Sequence, residues 1–472
     1  MNRRLFLQAV GGAVTVASLP PVRGRVMAAE IPNLAVASGR PKLIPRFADG
    51  RDWFFQKRFG MFIHWGLYSI LGWHEQHQWR ARVPREEYVK LQQRWNPVKF
   101  NPDEWLDQME KAGMKYVCLT TKHHDGFCLW DTKQTKYNTM NTPYSKDVLR
   151  MLSDACHRRG VPLCLYYSIV DWNQPNYPNQ GRHHELQPQP GDQPDMGKYM
   201  EFLKEQVREL CTNYGEISGF WWDMNVDKET HLDRSINDMI RKLQPKAVIN
   251  NRGFDEGDFG TPERDYENGG EDAMCFARLT EACQSVGTES WGYKSDEDYY
   301  TDRHLMRSID KYLSRDANYL LNVGPTGEGV IPPVAVAILN RVGAWYNAVK
   351  ESYENVVPAT HLTDNRNIMI TRRDNTMYVH LHRDPTSETV KLRPIDVAPR
   401  KATILNTGKP VEFAVTFAPT DHLDQKPFLR LRKLPVNEMA NTVLIVKLEF
   451  DDLTAIENMH NKALDKDDIR KR

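Results

Sequence analysis

The run Gly219-Phe220-Trp221-Trp222-Asp223 drives apolar residues straight into a carboxylate. It reads either as a buried strand whose last residue closes a turn, or as a strand that delivers an acid to a site. Polar residues at the C-terminal ends of parallel barrel strands are usually catalytic. Cleaving an acetal takes two carboxyl groups, one to attack or to activate water and one to protonate the departing oxygen. Glu263, in Gly260-Thr261-Pro262-Glu263, is the first candidate partner for Asp223, and Glu281, on the approach to Trp291-Gly292-Tyr293, is the runner-up. Each of these two also reads as a solvated surface Glu.

Other strand ends carry polar groups. Side chains alternate along a strand, so His64 shares a face with Phe62, Tyr166 with Ser168, and Asp223 with Trp221. Lys122-His123-His124-Asp125-Gly126-Phe127, Asn250-Asn251-Arg252-Gly253 and Asn322-Val323-Gly324-Pro325 close further strands. Gathered at one mouth, these residues form a pocket for a small ring with many hydroxyls. His and Arg would donate to hydroxyls, while Phe62 and Trp221 would cover apolar edges. Taken singly, each reads as a satisfied strand-end residue. The adjacent His123 and His124 raise a metal reading. Neighbouring strand residues point to opposite faces, however, and no His-Glu-x-x-His run appears. No Gly-x-Ser-x-Gly elbow is present, and no G-x-G-x-x-G follows a strand. Neither a metal nor a nucleotide cofactor is expected.

The elements that must position these groups alternate between short apolar runs and amphipathic stretches from about residue 55 to 350, the pattern of βα units and a parallel sheet. Strands are expected at Gly60–Trp65, Tyr116–Thr121, Leu163–Ser168, Gly219–Asp223, Ala247–Asn251, Glu289–Tyr293 and Tyr319–Val323, and helices at Asp103–Ala112, Lys146–Arg159, Met196–Asn213, Leu232–Leu243 and Asp302–Arg315. The number of units fits an α/β fold with a (β/α)8-type barrel over 45–352. The stretch 171–195 has no periodicity and follows a strand, so it reads as a wall or lid of the site or as a solvated insertion. Short β-rich runs over 355–450 read as an antiparallel β-sandwich, and 451–472 as a charged tail.

At 472 residues the chain is long enough for a large domain and a smaller one. A net charge of +1 argues against nucleic acid as a partner, and 12 Trp suit stacking on neutral rings. Arg3-Arg4 ahead of the weakly apolar Ala9–Leu19 and the small residues at Met27-Ala28-Ala29 make 1–29 read as a twin-arginine-type export signal, with an amphipathic N-terminal helix as the alternative, so the product is expected in the periplasm or outside the cell. No other segment is apolar for long enough to span a membrane. The 7 Cys are odd in number and form no CxxC, so a disulfide framework is not expected; Cys118 and Cys164 lie in apolar runs and read as core.

Over roughly residues 50–350 the chain resembles the α-L-fucosidases of glycoside hydrolase family 29. The resemblance rests on Phe59-Gly60-Met61-Phe62-Ile63-His64-Trp65-Gly66, Thr121-Lys122-His123-His124-Asp125-Gly126-Phe127, Trp221-Trp222-Asp223 and Asn318-Tyr319-Leu320-Leu321-Asn322-Val323-Gly324-Pro325. It implies a barrel followed by a β-sandwich, a retaining mechanism, no cofactor, and a fucosylated oligosaccharide or polysaccharide as substrate. Asp223 matches the nucleophile and Glu263 the acid/base of the bacterial branch. His64, His123, His124, Tyr166 and Arg252 match positions that bind fucose hydroxyls, and Trp79 a further sugar contact. The chain departs from the family at Gln78, where an acid usually precedes that Trp, and at Met224-Asn225, where Gly is frequent. An α-L-galactosidase and a carbohydrate-binding pseudoenzyme are the alternative readings.

Overall fold

Seven short runs alternate their side chains between two apolar environments, and this alternation builds the sheet. The computed structural model describes residues 43–224, 233–264, 276, 278–417, 426–454 and 456. The export-signal reading at 1–29 and most of the 451–472 tail lie outside these residues. The strands are β1 (Phe59–Ile63), β2 (Val117–Lys122), β3 (Leu163–Ser168), β4 (Gly219–Asp223), β5 (Val248–Ile249), β6 (Glu281–Ser285) and β7 (Asn318–Val323). They form one parallel sheet in the order β5-β4-β3-β2-β1-β7-β6. The segment 259–263 lies between the two edge strands. Asn250 bridges to Phe259, Gly260 to Thr280, and Glu263 to Cys283, all parallel.

Met61, Ile63, Leu119, Leu165 and Trp222 face outward into the larger apolar cluster with the helices. Phe62, Cys118, Cys164, Tyr166, Trp221, Cys283 and Leu320 form a separate cluster on the opposite face. The covering helices are α1 (Pro102–Lys111), α2 (Val148–Arg159), α3 (Met196–Asn213), α4 (Ser235–Leu243), α5 (Asp302–Leu313) and α6 (Pro333–Val349). The starts of α1, α2, α3 and α5 are capped by side chains that accept from otherwise unpaired amides: Asn101 from Asp103 N, Asp147 from Arg150 N, Asp195 from Lys198 N and Thr301 from His304 N. None of the described helices is long and apolar enough to cross a membrane.

One expected strand is displaced. Glu289–Tyr293 is a loop, and the strand before β7 is Glu281–Ser285. The loop amides of Trp291 and Gly292 bond to the Glu75 carboxylate instead of a neighbouring strand, while the polar-looking run Glu-Ala-Cys-Gln-Ser is wholly buried. Glu281 therefore begins a strand. It lies at the end of the sheet away from Asp223, paired in register with Asn318 at the start of β7.

Beyond residue 355 two antiparallel sheets share a second apolar cluster that includes Ile370, Val379, Leu392, Leu429, Val446 and Leu448. One contains β8 (Val357–Pro358), β9 (Met369–Arg373), β10 (Thr376–His380), β12 (Lys401–Ile404) and β15 (Ile445–Glu449); the other contains β11 (Val390–Leu392), β13 (Glu412–Thr416) and β14 (Phe428–Arg432). Asp310 of α5 joins them to the parallel sheet's helices. Fully buried, it accepts from His380 Nδ1 at 2.6 Å, His382 Nδ1 at 2.9 Å and Tyr353 Oη at 2.8 Å. Cys118, Cys128, Cys156, Cys164, Cys211 and Cys283 are buried free thiols.

Candidate active site

The C-terminal ends of the parallel strands bring most of the singled-out residues to one place. Asp223 ends β4 with its side chain 14% exposed. Its Oδ2 accepts from Tyr166 Oη on β3 at 2.7 Å and lies 3.8 Å from His124 Nε2. Its Oδ1 accepts from Arg252 Nη1 at 3.1 Å and from the amide of Met224 at 3.0 Å. Burial pushes the Asp223 pKa up, but Arg252, His124 and the Tyr166 hydrogen bond outweigh it and hold the carboxyl below its ordinary range.

Arg252 follows β5 and is locked from behind. Its Nε donates to Thr261 Oγ1 at 2.6 Å and its Nη2 to Thr261 O at 2.7 Å, while its guanidinium lies 4.8 Å over the Trp221 ring. Gly253 permits this path, because a Cβ there would overlap the Trp222 indole. Arg252 Nη1 also pairs with Glu263 Oε1. Two contacts to one nitrogen put the nearer oxygens of Asp223 and Glu263 no more than about 5.5 Å apart, a limit compatible with a nucleophile and acid pair. Burial raises the Glu263 pKa. Arg252 opposes that rise, while the charge on Asp223 adds to it. The two carboxyls are thus pushed apart, Asp223 towards the lower pKa and Glu263 towards the higher.

Glu281, the runner-up, is not brought to this place. It is 2% exposed and accepts from Tyr116 Oη at 2.5 Å, and burial pushes its pKa to about 8.

The histidines have fixed tautomers, assigned from their partners. Asn322 Nδ2 donates to Trp291 O at 2.7 Å and to Ser285 Oγ at 3.1 Å, so its Oδ1 accepts from His64 Nδ1 at 2.7 Å. Ser168 Oγ donates to Val170 O at 2.7 Å, so it accepts from His124 Nδ1 at 2.7 Å. Burial lowers both imidazoles to about 4. Each is neutral at neutral pH, with its Nε2 lone pair free to accept. This differs from the expectation that the histidines donate: on His64 and His124 the proton is on Nδ1, held by Asn322 and Ser168, and Nε2 is an acceptor. His123 stacks on Tyr166 with centroids 5.6 Å apart, and its buried Nδ1 has no partner among the described residues.

Phe62 and Trp221 pack at 5.3 Å beneath these groups. Trp79 lies on the rim in the short helix His77–Arg80, its ring 5.0 Å from that of His184. Gln78 beside it is 1% exposed, and among the described residues neither of its amide atoms has a partner. The 171–195 stretch forms a wall. Trp172 is buried, takes the His124 carbonyl at 2.7 Å through its amide, and donates its Nε1 to His184 O at 2.8 Å.

Three contributors escape a reading of strand ends. Trp291 stacks on His64 at 5.3 Å and lies 6.4 Å from Phe62. Glu75 holds it there, accepting at a single oxygen from Trp291 N at 2.9 Å and Ser290 Oγ at 2.8 Å. His184 is the third. The aromatic run Glu289–Tyr293 signals Trp291 only as part of a strand, and nothing local marks Glu75 or His184. No group of three or more His, Cys, Asp or Glu among the described residues could hold a metal.

A profile described as Alpha-L-fucosidase matches residues 47–351. Tissue alpha-L-fucosidase of Bos taurus is 24% identical over 392 residues, covering 77% of this chain and 81% of that protein. Among solved structures, alpha-L-fucosidase isoenzyme 1 from Paenibacillus thiaminolyticus is similar at TM-score 0.74 and 32% identity, over 86% of this chain and 100% of that one. A GH29 alpha-L-fucosidase from Bacteroides thetaiotaomicron, solved as a trapped covalent intermediate in complex with 2-fluoro-fucosyl fluoride, is similar at TM-score 0.71 and 26% identity, over 87% of this chain and 98% of that one. On these matches, and with its strand-end residues gathered around a carboxylate pair, the chain belongs to the α-L-fucosidases of glycoside hydrolase family 29.

Proposed function

We propose that the protein is an exo-acting, retaining α-L-fucosidase that releases terminal L-fucose from glycans through a fucosyl-enzyme on Asp223. The observation that carries this reading is the pair of carboxyls, Asp223 and Glu263, meeting one nitrogen of Arg252. The trapped intermediate of the Bacteroides relative supports it. Asp223 attacks the anomeric carbon as Glu263 gives its proton to the departing oxygen. With Asp223 esterified, the charge that raised the Glu263 pKa is gone, and Glu263 takes a proton from water for the second step. His64 and His124 accept from sugar hydroxyls, Tyr166 and Arg252 hold Asp223, and Phe62 and Trp291 offer apolar faces to the methyl of fucose. A hydroxyl buried there without a partner would cost about 1–3 kcal/mol, which disfavours L-galactose. On this reading 259–263 serves as the eighth stave of a (β/α)8 barrel over 45–352, followed by a sandwich over 355–450, and 1–29 directs export.

The test is hydrolysis of nitrophenyl α-L-fucoside beside nitrophenyl α-L-galactoside, with proton NMR of the first product. Preferential release of fucose as the α-anomer is expected. Faster galactoside cleavage, the β-anomer first, or binding of fucose with no turnover would each overturn the reading.

A further inference from the structure

We infer that His184, on the loop after β3, is a specificity-determining contact that donates a hydrogen bond from Nε2 to a hydroxyl of the sugar held at Asp223. The inference rests on the proposed function and names a residue of its binding pocket.

A chain of hydrogen bonds fixes the ring. Arg80 Nε donates to Gln76 Oε1 at 3.1 Å, which sets the Gln76 amide, so its Nε2 donates to His184 Nδ1 at 3.0 Å. Nδ1 is then the acceptor and Nε2 carries the proton. This is the opposite tautomer to that of His64 and His124. The His184 ring lies nearly parallel to Trp79, at 11° and 5.0 Å between centroids, and 6.0 Å from the ring of His124. Two N–H groups, His184 Nε2 and Trp79 Nε1, thus stand on neighbouring parallel rings. Among the described residues neither has a protein acceptor, and neither is sealed from solvent.

The backbone is held in place for this arrangement. His184 has φ +64°, a left-handed conformation that costs a non-glycine residue free energy and tends to be kept at functional sites. The hydrogen bond from Trp172 Nε1 to its carbonyl and the burial of Glu185 next to it keep it there.

The side of the site also matters. Arg252, which also holds Glu263, meets Asp223 at Oδ1, whereas Tyr166 and His124 lie at Oδ2. His184 adjoins His124, which puts it on the Oδ2 side, that of the proposed sugar pocket, away from the Arg252–Glu263 pair.

The test is calorimetric binding of L-fucose and of 2-, 3- and 4-deoxy-L-fucose to the wild type, His184→Phe and Gln76→Leu, with melting temperatures and aryl fucoside kinetics on each. Phe keeps a ring on Trp79 and loses the donor. The expected result is about tenfold weaker fucose binding by His184→Phe, with the loss abolished for one of the deoxy sugars. Gln76→Leu, which leaves His184 in place but frees its tautomer, should show a smaller loss with the same dependence on the sugar, and it decides the matter if His184→Phe does not fold. Equal losses on all four sugars, no loss, or a wild type that binds none of them would overturn the inference. A wild type that binds fucose with this pattern yet hydrolyses no fucoside would overturn the proposed function alone.

Discussion

Asp223 and Glu263 meet the same guanidinium nitrogen, Arg252 Nη1, with Asp223 Oδ1 at 3.1 Å. Arg252 lowers both pKa values, while burial and the Asp223 charge raise that of Glu263. Replacing Arg252 by Met removes the positive charge from both carboxyls. The acidic limb of the kcat/KM profile, set by Asp223 losing its proton, should move to higher pH. The basic limb, set by Glu263, should move the same way. Activity at the new optimum should fall about a hundredfold, because a charged anchor is lost. A profile with unmoved limbs would separate Arg252 from both groups.

Glu263 should behave as the acid/base. Glu263→Ala is expected to lose far more activity on a natural fucosyl-oligosaccharide than on a nitrophenyl fucoside, whose leaving group needs little protonation. Azide, which needs no base, should speed turnover of the variant and give a fucosyl azide. Glu281→Ala should give no azide product. Fucosyl azide from the Glu281 variant alone would reverse the two roles.

Glu281 should matter instead to stability. Its folded pKa is about 8 against an ordinary 4.5, so it stays protonated in the fold while the unfolded chain ionises. Such a raised carboxyl contributes stability that is fully present below pH 4.5 and is lost as pH rises towards 8. Glu281→Gln, which cannot ionise, should flatten the dependence of melting temperature on pH across that window and keep fucosidase activity. An unchanged slope would mean that Glu281 is not the group being titrated.

What could be read from the residue order follows from how each signal is encoded. Asp223, His64, His123, His124, Tyr166 and Arg252 lie at or next to strand ends, and alternation tells which side chains within a strand turn inwards; it fails for His123 and His124, which follow β2 and both reach the site. β6 was misplaced because its residues, Glu281 to Ser285, look polar, while the aromatic run at 289–293 mimics a strand. Only the buried Glu75, distant in sequence, explains why that run is a loop. His184 was hidden in an aperiodic stretch, since its place depends on Gln76 and Trp172, neither of which announces a site. The tautomers of His64 and His124 depend on Asn322 and Ser168, whose own hydrogen bonds are set by the fold.

Export should leave the mature protein without the arginine pair, on the evidence of Arg3-Arg4 and Met27-Ala28-Ala29. Intact mass of protein recovered from the periplasm or medium should show a start near Ala29 or Glu30. A full-length product there would refute removal of the segment.

The central claim is the covalent bond at Asp223. Incubation with 2-fluoro-fucosyl fluoride, digestion and peptide mass mapping test it directly, because the fluorine slows release of the sugar more than its arrival. One 2-fluoro-fucosyl group should be found on the peptide carrying Trp221-Trp222-Asp223, at Asp223, and Asp223→Ala should take up none and lose more than about a thousandfold in kcat. A label on Glu263 or any other residue, or an Asp223→Ala enzyme with wild-type turnover, would contradict the mechanism.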